Sequence, residues 1–458
     1  MILNHDDQTI IAQCTPRGSG ALALLRISGI DALNITAKIS KLASKKSILE
    51  VASHTVHFGS IIDQQETIDQ VMFIVMHGPK TFTGQNVVEI TCHNNPFLVE
   101  AIIHQALAHG ARLAQEGEFT KRAFLNKKID LIQAESINEL IHASTQMALK
   151  QSLAQLEGSF SHWLKNIEKE IMKNAALSEA SFEFIDEEME FGIQINQSLD
   201  GVLNNLEIIK KTFNQQQHIR QGVRIALIGS VNAGKSSLFN ALLNKNRSIV
   251  TDIAGTTRDV VEAGVYKNSS YWTLIDTAGL RQTNDFVEKE GISRSYQEAQ
   301  LADCILLIYD GSRALSPQEE IIYQDLLALY SHKIIIIYTK SDATHYPHIV
   351  FSTCPYIRVS VYDKTVIATL EIMIENKIEQ DLFNNIESPF LLNQRQFNLL
   401  LSLENNLIRV KELLIEPVAY ELVSYHLKES LENLTELSGQ TITEQSMDAI
   451  FREFCVGK

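Results

Sequence analysis

The sequence predicts a multidomain α/β chain: a parallel sheet with helices on both faces, inserted in a discontinuous helical bundle, behind an N-terminal domain of α+β type. Three observations predict it. Between about residues 223 and 378, short apolar strands alternate with helical patterns, the mark of a parallel sheet covered on both faces. Both flanks of that block read as helix, and neither can bury its apolar stripe alone; because domain termini are often close together, the simplest arrangement packs both flanks into one domain. Ahead of them, residues 1 to 118 mix strand and helix patterns.

Taken in order, "GALALLRISG", "QVMFIVMH" and "NVVEITCH" read as strands of the first domain and "PFLVEAIIHQALAHG" as its helix. Residues 119–216 form the first part of the bundle: the run from Asp130 to Ala180 contains no Pro and one Gly, and sets Ile137, Leu140 and Ile141 on one face. Residues 217–379 hold the strands "VRIALIG", "WTLIDT", "CILLIYD", "KIIIIYTK" and "IRVSV". Residues 380–458 return to helix. There Ser388 and Pro389 suit an N-cap and first helical position, and Leu400, Leu403, Leu407, Val410 and Leu414 recur at steps of three and four. Met447, Ile450, Phe451 and Phe454 give the last helix one apolar face, which Cys455 continues one turn past Phe451, and Thr441 with Glu444 has capping-box spacing.

Composition narrows the setting. At 458 residues the chain has room for two or three cores, and 45% hydrophobic with 21% charged residues is ordinary for a soluble protein. Five cysteines without a C-x-x-C pair point to a reducing compartment. No signal-like segment or membrane-length apolar run is present, so a cytoplasmic protein that does not enter the membrane is expected. A net charge of −15 disfavours a broad grip on nucleic acid, which needs Lys and Arg, although a local basic patch would suffice for shared binding.

The chemistry is concentrated at the strand ends. "GSVNAGKSS" follows a strand, opens a helix and fits G-x-x-x-x-G-K-S. Gly229 and Gly234 let the backbone curl its N–H groups toward phosphates, Lys235 supplies charge to the outer phosphates and Ser236 can ligate Mg²⁺. Asn232, Ala233 and Ser237 complete the cradle. "DTAG" follows roughly 40 residues on: Asp276 ends a strand, Thr277 and Ala278 follow, and Gly279 can present its N–H to a terminal phosphate. In "TKSD", Thr339 precedes Lys340, which can pack across a purine ring, and the Asp342 carboxylate can accept two hydrogen bonds from a guanine edge. Ser360 opens the last nucleotide loop. Three motifs in order at strand ends indicate GTP. The residue after D-x-x-G is Leu280, not the water-orienting Gln of Ras-like proteins, so hydrolysis needs another group for water and another positive charge.

"GSVNAGKSS", "TDIAGTTRD", "DTAGLR" and the final "CVGK" together resemble the MnmE (TrmE) family of tRNA modification GTPases. "TPRGSGALALLRISG", "TFTGQNVVEITCH", "GEFTKRAFLNKKIDLIQAE" and "FEFIDEEMEF" extend the resemblance over the whole chain. It implies a K⁺ ion bound by Asn232 and by the loop Thr251, Asp252, Ile253, Ala254, Gly255, Thr256 and Thr257, with Thr251, Ile253 and Thr256 as ligands and Thr257 joining Ser236 on Mg²⁺. A fixed cation can neutralise transition-state charge as an arginine finger does. Glu288 falls on the family's water-orienting acid. The resemblance further implies that the N-terminal domain binds a 5-formyl- or 5,10-methylene-tetrahydrofolate through Arg26, Glu89, Lys128 and Lys458 and holds a homodimer together. Cys455 is an acid/base group, a nucleophile or a packed thiol. The implied activity is K⁺-dependent GTP hydrolysis, coupled with an FAD-containing MnmG-like partner to C5 aminomethyl-type modification of the wobble uridine of tRNA. The alternative is a non-catalytic GTP switch in ribosome assembly of the Era or Der type.

Departures from the family pattern touch both sites. Thr339 replaces a common Asn, "SVY" from Ser360 to Tyr362 replaces S-A-K/R, "TGQN" replaces T-G-E-D, and Asn94 and Asn95 replace a Gly pair.

Overall fold

The computed structural model describes residues 8–18, 20–64, 66–183, 191–243, 261–267, 270–276, 296–343, 354–380, 390–415 and 418–457. The chain divides into two units. Met1–Asn138, Leu153–Leu203 and Asn398–Lys458 form one; Glu139–Ser152 and Asn204–Phe397 form the other.

The first unit carries a seven-stranded sheet of β1 (Ile10–Gln13), β2 (Leu22–Ser28), β3 (Ser40–Leu42), β4 (Thr55–Asp63), β5 (Glu66–Met76), β6 (Val87–His93) and β7 (Arg112–Leu113), in the order β3-β4-β5-β6-β2-β1-β7. Its ladders are antiparallel except the parallel pair of β1 with β7. Strands β2, β5 and β6 are those read from sequence. The inner face buries Leu25, Ile27, Phe73, Val75, Val88 and Ile90 under the helices Ala32–Ile39 and Pro96–Ala108. Residues directly opposite one another in register share a face, which sets Arg26, Glu89, Ile74 and Val56 in one row of the outer face and Leu24, Thr91, Met72 and Phe58 in the next. Val56, Phe58 and Met72 are exposed there.

In the helical part, Ser159–Glu183 and Tyr420–Ser438 lie together, with Ser178 Oγ donating to Tyr420 O at 3.0 Å and Lys428 paired to Glu179 at 2.9 Å. Leu400, Leu403, Leu407 and Val410 are buried on the helix Gln394–Leu413, as their spacing predicts. That helix starts behind Asn393: Asn393 Oδ1 accepts from Gln396 N and Gln396 Oε1 from Asn393 N, a reciprocal cap. Ser388 and Pro389 lie outside the described residues. On the helix Leu131–His142 the buried face is Leu131, Ala134 and Glu135, whereas Ile137 and Leu140 are half-buried and Ile141 is exposed. The last helix, Glu444–Phe451, is capped by Thr443, whose hydroxyl accepts from Ser446 N; Thr441 instead meets Thr435. Met447, Phe451 and Phe454 are buried against Leu131 and Ala134, with Ile450 packed beside them.

The second unit holds a six-stranded sheet of β8 (Val223–Gly229), β9 (Val261–Lys267), β10 (Ser270–Asp276), β11 (Cys304–Asp310), β12 (Ile334–Thr339) and β13 (Tyr356–Arg358), in the order β13-β12-β11-β8-β10-β9. All neighbours are parallel except β9, an antiparallel edge on β10. Alternate residues of the central strands bury on opposite faces. Val223, Ile225, Leu227, Leu306, Ile335 and Ile337 pack against Leu238 and Leu242 of Lys235–Leu243 and Leu370 and Ile374 of Lys364–Ile378. Ala226, Ile228, Ile305, Leu307, Ile334 and Ile336 pack against Tyr323 and Leu326 of Pro317–Tyr330. Two-sided burial explains why these strands read as unbroken apolar runs. Among the described residues no helix is long and apolar enough to cross a membrane.

Candidate functional site

The motif residues follow directly on the ends of β8, β10 and β12. At the end of β8, Gly229 sits where a Cβ would meet Ile308 O at 2.5 Å, so only glycine fits this approach. Asn232 (φ 61°) and Gly234 (φ 91°) then turn the loop through the left-handed region, conformations that Gly and Asn adopt most readily. Lys235 opens the next helix. Its buried ammonium donates to the carbonyls of Gly229 (2.6 Å) and Ser230 (2.5 Å); burial pushes its pKa down, and the nearby Asp276 carboxylate opposes that push. Ser236 Oγ donates to Asp276 Oδ2 at 2.9 Å, joining the loop to the end of β10. The result is a curled backbone, a buried cation and a hydroxyl–carboxylate pair. Hard oxygen donors of that kind suit Mg²⁺, and the curl with its lysine suits a polyphosphate.

The base side is built from β12 and β13. Thr339, 3% exposed, donates its hydroxyl inward to Ala233 O at 2.5 Å, with Tyr309 O at 3.0 Å. Its side chain therefore braces the phosphate loop and is turned away from a base. Lys340, itself left-handed (φ 57°), is held by Asp310 Oδ2 at 2.6 Å. Burial pushes the Asp310 carboxyl up, but the bonds from Lys340 and Ser312 outweigh it and hold it low. Asp342 is exposed beside Ser360, whose hydrogen bond keeps the carboxyl below its usual range. Asn232, Ala233, Gly234, Lys235, Ser236, Ser237, Asp276, Thr339, Lys340, Asp342 and Ser360 thus all lie at the ends of β8, β10, β12 and β13. Thr251 through Thr257, Thr277, Ala278, Gly279, Leu280 and Glu288 lie outside the described residues.

A second constellation lies on the outer face of the first sheet. Arg26 and Glu89 stand opposite one another on β2 and β6, bonded at 2.8 Å through Nε and 2.7 Å through Nη2. The guanidinium lies 5.5 Å from the Phe119 ring centroid, and its Nη1 donates to Gly457 O at 3.3 Å. The chain end reaches this place as a docked segment. Gly117 N donates to Cys455 O, Val456 bridges Glu116, and the Cys14 thiol donates to Gly457 O at 3.2 Å. Gly457 (φ 92°) passes so close that a Cβ would lie 2.8 Å from both Cys14 Cα and Gln13 O. Cys455 does not continue the apolar face: the helix ends at Phe451, the chain turns, and the thiol is exposed. Lys128 lies at a different loop, donating to Pro79 O at 2.9 Å. Lys458 lies outside the described residues.

The departures noted in sequence have local roles. Gln85 Oε1 accepts from the buried Arg122 at 3.0 Å, and Asn86 Oδ1 accepts from Gly78 N at 3.0 Å. Asn95 caps Pro96–Ala108 and Asn94 donates to Gly18 O. Phe119, Cys14 and Gly457 were not singled out from sequence for this place, because their contacts join segments far apart in the chain.

Residues 9–128 match the family described as the GTP-binding protein TrmE N-terminus, and residues 131–455 match the MnmE helical domain. The chain belongs to the MnmE family. A relative from Protochlamydia amoebophila named tRNA modification GTPase MnmE is 37% identical, covering 99% of this chain and 98% of its own. One of the same name from Lachnoclostridium phytofermentans is 35% identical, covering 98% and 99%. Among solved structures, the G domain of the T. maritima FeoB iron transporter covers 34% of this chain and 98% of its own at 26% identity and a TM-score of 0.27. Within the MnmE family the two constellations correspond to the two matched regions: Arg26 and Glu89 fall in the first, and the phosphate loop and the tail through Cys455 fall in the second.

Proposed function

We propose that this protein is a K⁺-dependent GTP hydrolase that takes part, with an FAD-containing MnmG-like partner, in C5 aminomethyl or carboxymethylaminomethyl modification of the wobble uridine (position 34) of certain tRNAs, using a tetrahydrofolate one-carbon unit. The observation that carries the hydrolase half is the phosphate cradle, in which Asn232 and Gly234 curl the backbone around Lys235 while Ser236 meets Asp276. Lys235 binds the outer phosphates, exchanging its two carbonyl partners for phosphate oxygens. Ser236 and Thr257 would hold Mg²⁺, and Asn232 with Thr251, Ile253 and Thr256 would hold K⁺. These ions supply positive charge against the charge that develops on the transferring phosphoryl group. Glu288 orients the attacking water, Leu280 being unable to. Asp342 selects guanine, and Lys340, held by Asp310, covers the ring.

For the one-carbon half, Arg26 and Glu89 offer a paired cation and carboxylate beside an aromatic ring, suited to the donor and acceptor edge of a pterin. Lys458 follows directly on the docked Gly457 and, with Lys128, supplies charge for glutamyl carboxylates. The exposed Val56, Phe58 and Met72 on the same face of that sheet support a homodimer through the N-terminal domain. The domain limits proposed are 1–118, 119–216, 217–379 and 380–458, and the compartment proposed is the cytoplasm. Binding of 5-formyltetrahydrofolate to the purified protein tests this reading against a ribosome-assembly GTPase: measurable affinity, weakened by Glu89→Ala, is expected, and no binding overturns the one-carbon half.

A further inference from the structure

The first turn of the phosphate loop is gripped from behind by a segment far away in the chain. Every polar group of Ser230 is engaged: its N–H donates to Tyr323 Oη at 2.7 Å, its Oγ accepts from Arg313 Nη2 at 3.1 Å, and its carbonyl accepts from Lys235 Nζ at 2.5 Å. Tyr323 is 3% exposed on Pro317–Tyr330, and its own proton goes to Ile308 O at 2.9 Å. With that proton committed, the hydroxyl faces Ser230 N as an acceptor. The ring is fixed as well, packing edge-on against Tyr309 at 4.6 Å. Arg313 is oriented by a two-pronged bond to Glu319 at 2.6 and 2.9 Å, and Glu319 is anchored by Ser316 N at 2.7 Å in a reciprocal cap. The bond from Arg313, against a smaller opposing push from burial, holds the Glu319 carboxyl down at about 2. Asp310 Oδ2 lies 3.7 Å from Arg313 Nε and 2.6 Å from Lys340 Nζ. A continuous line of polar contacts therefore runs from Lys340 through Asp310 and Arg313 to Ser230.

We propose that Tyr323 and Arg313 are positioning residues of the nucleotide site: Tyr323 fixes the first turn of the phosphate loop, and Arg313, oriented by Glu319, ties that loop through Asp310 to Lys340. The base side and the phosphate side are then aligned as one body. This rests on the reading of the site as a guanine-nucleotide site. The outward pull on the Ser230 N–H gives it a mechanical basis. It commits the first amide of the loop to the protein, so that the curl at Asn232 and Gly234 turns the later amides toward the ligand.

The test uses the full-length protein and a fluorescent GDP analogue, displaced by GDP and by GMP. Wild type that fails to bind GDP refutes the underlying reading, not this proposal alone. Given binding, Tyr323→Phe keeps the ring and leaves a partly buried N–H without its acceptor, so GDP affinity should fall about tenfold, whereas GMP, with one phosphate, should lose less than about threefold. Arg313→Ala and Glu319→Gln, at partly exposed positions, should shift the same ratio and remain informative if Tyr323→Phe folds poorly. Ser230→Ala and Lys340→Ala should combine non-multiplicatively in wild type and multiplicatively once Arg313 is alanine. Unchanged GDP affinity in both Tyr323→Phe and Arg313→Ala, or equal losses for GDP and GMP, would overturn the proposal and leave the network a support of the fold.

Discussion

Replacing Gly457 with alanine should unseat the chain terminus and, with it, folate binding. Gly457 has φ 92°, a conformation that costs an L-residue with a Cβ roughly 1–2 kcal/mol. The new Cβ would lie 2.8 Å from Cys14 Cα and from Gln13 O; both are backbone positions in or next to β1, so the tail, not the sheet, must move. Moving it breaks the bond from the Arg26 guanidinium to Gly457 O, worth roughly 1.5–3 kcal/mol as a hydrogen bond to a charged group. Against a segment held by one bridge at Val456 and a few bonds, a penalty of this size shifts the docked state to a minority. If the proposed role of Lys458 depends on the docked Gly457 before it, affinity for 5-formyltetrahydrofolate should fall on the order of 10- to 100-fold. Isothermal titration calorimetry measures this, with GTP hydrolysis as the control expected to remain unchanged. Wild-type folate affinity in Gly457→Ala would show that the docked tail is dispensable to the site.

Glu288→Ala should lower kcat for GTP on the order of 10²-fold, the scale of losing a general base, with GTP affinity nearly unchanged in a binding assay. Cys455→Ser should spare folate binding and abolish tRNA modification in a reconstituted assay if the exposed thiol does chemistry; full modification activity would make it a bystander. The pH dependence of stability should carry the mark of Glu118. Burial pushes this carboxyl up, but Arg112, Gln115 N and Arg122 outweigh it and hold its pKa below the ordinary range. A carboxyl depressed in the folded state stabilises fully above its unfolded pKa of roughly 4.3 and loses that stabilisation as pH falls below it. Melting curves between about pH 3 and 7 should show that Glu118→Gln is less stable than wild type near neutrality and less sensitive to acid; parallel curves would contradict this.

The phosphate loop was legible because its turns are local: Asn232 and Gly234 each take a left-handed conformation within a few residues of the strand that precedes them. The inner strands of the second sheet were legible for a different reason, as burial on both faces leaves runs such as Cys304–Asp310 without polar interruption. Strand β9 escaped notice because it is an edge, with Tyr266 exposed and Gly264 accommodating the Tyr271 ring. Strand β4 alternates exposed and half-buried positions over its first half and so resembles a loop. The cap of the last helix was placed two residues early because Thr441 and Thr443 are equally plausible hydroxyls until the backbone chooses between them. Extrapolating the apolar stripe to Cys455 failed because periodicity does not announce where a helix stops. The braces of both sites were invisible in sequence: Tyr323 lies 93 residues from Ser230, and Gly457 lies 431 from Arg26. No local pattern marks such pairs.

Whether the curled phosphate loop, lacking the usual glutamine, hydrolyses GTP with a monovalent cation in place of an arginine is decided by one rate comparison. GTP turnover is measured in K⁺ and in Na⁺ at equal ionic strength, for wild type and for Asn232→Ala. Turnover should be faster in K⁺ by on the order of 10²-fold, the scale of one fixed charge-stabilising group at the transition state, with the difference erased in Asn232→Ala. Equal rates of wild type in the two salts, or a K⁺ advantage that survives in Asn232→Ala, would contradict this expectation.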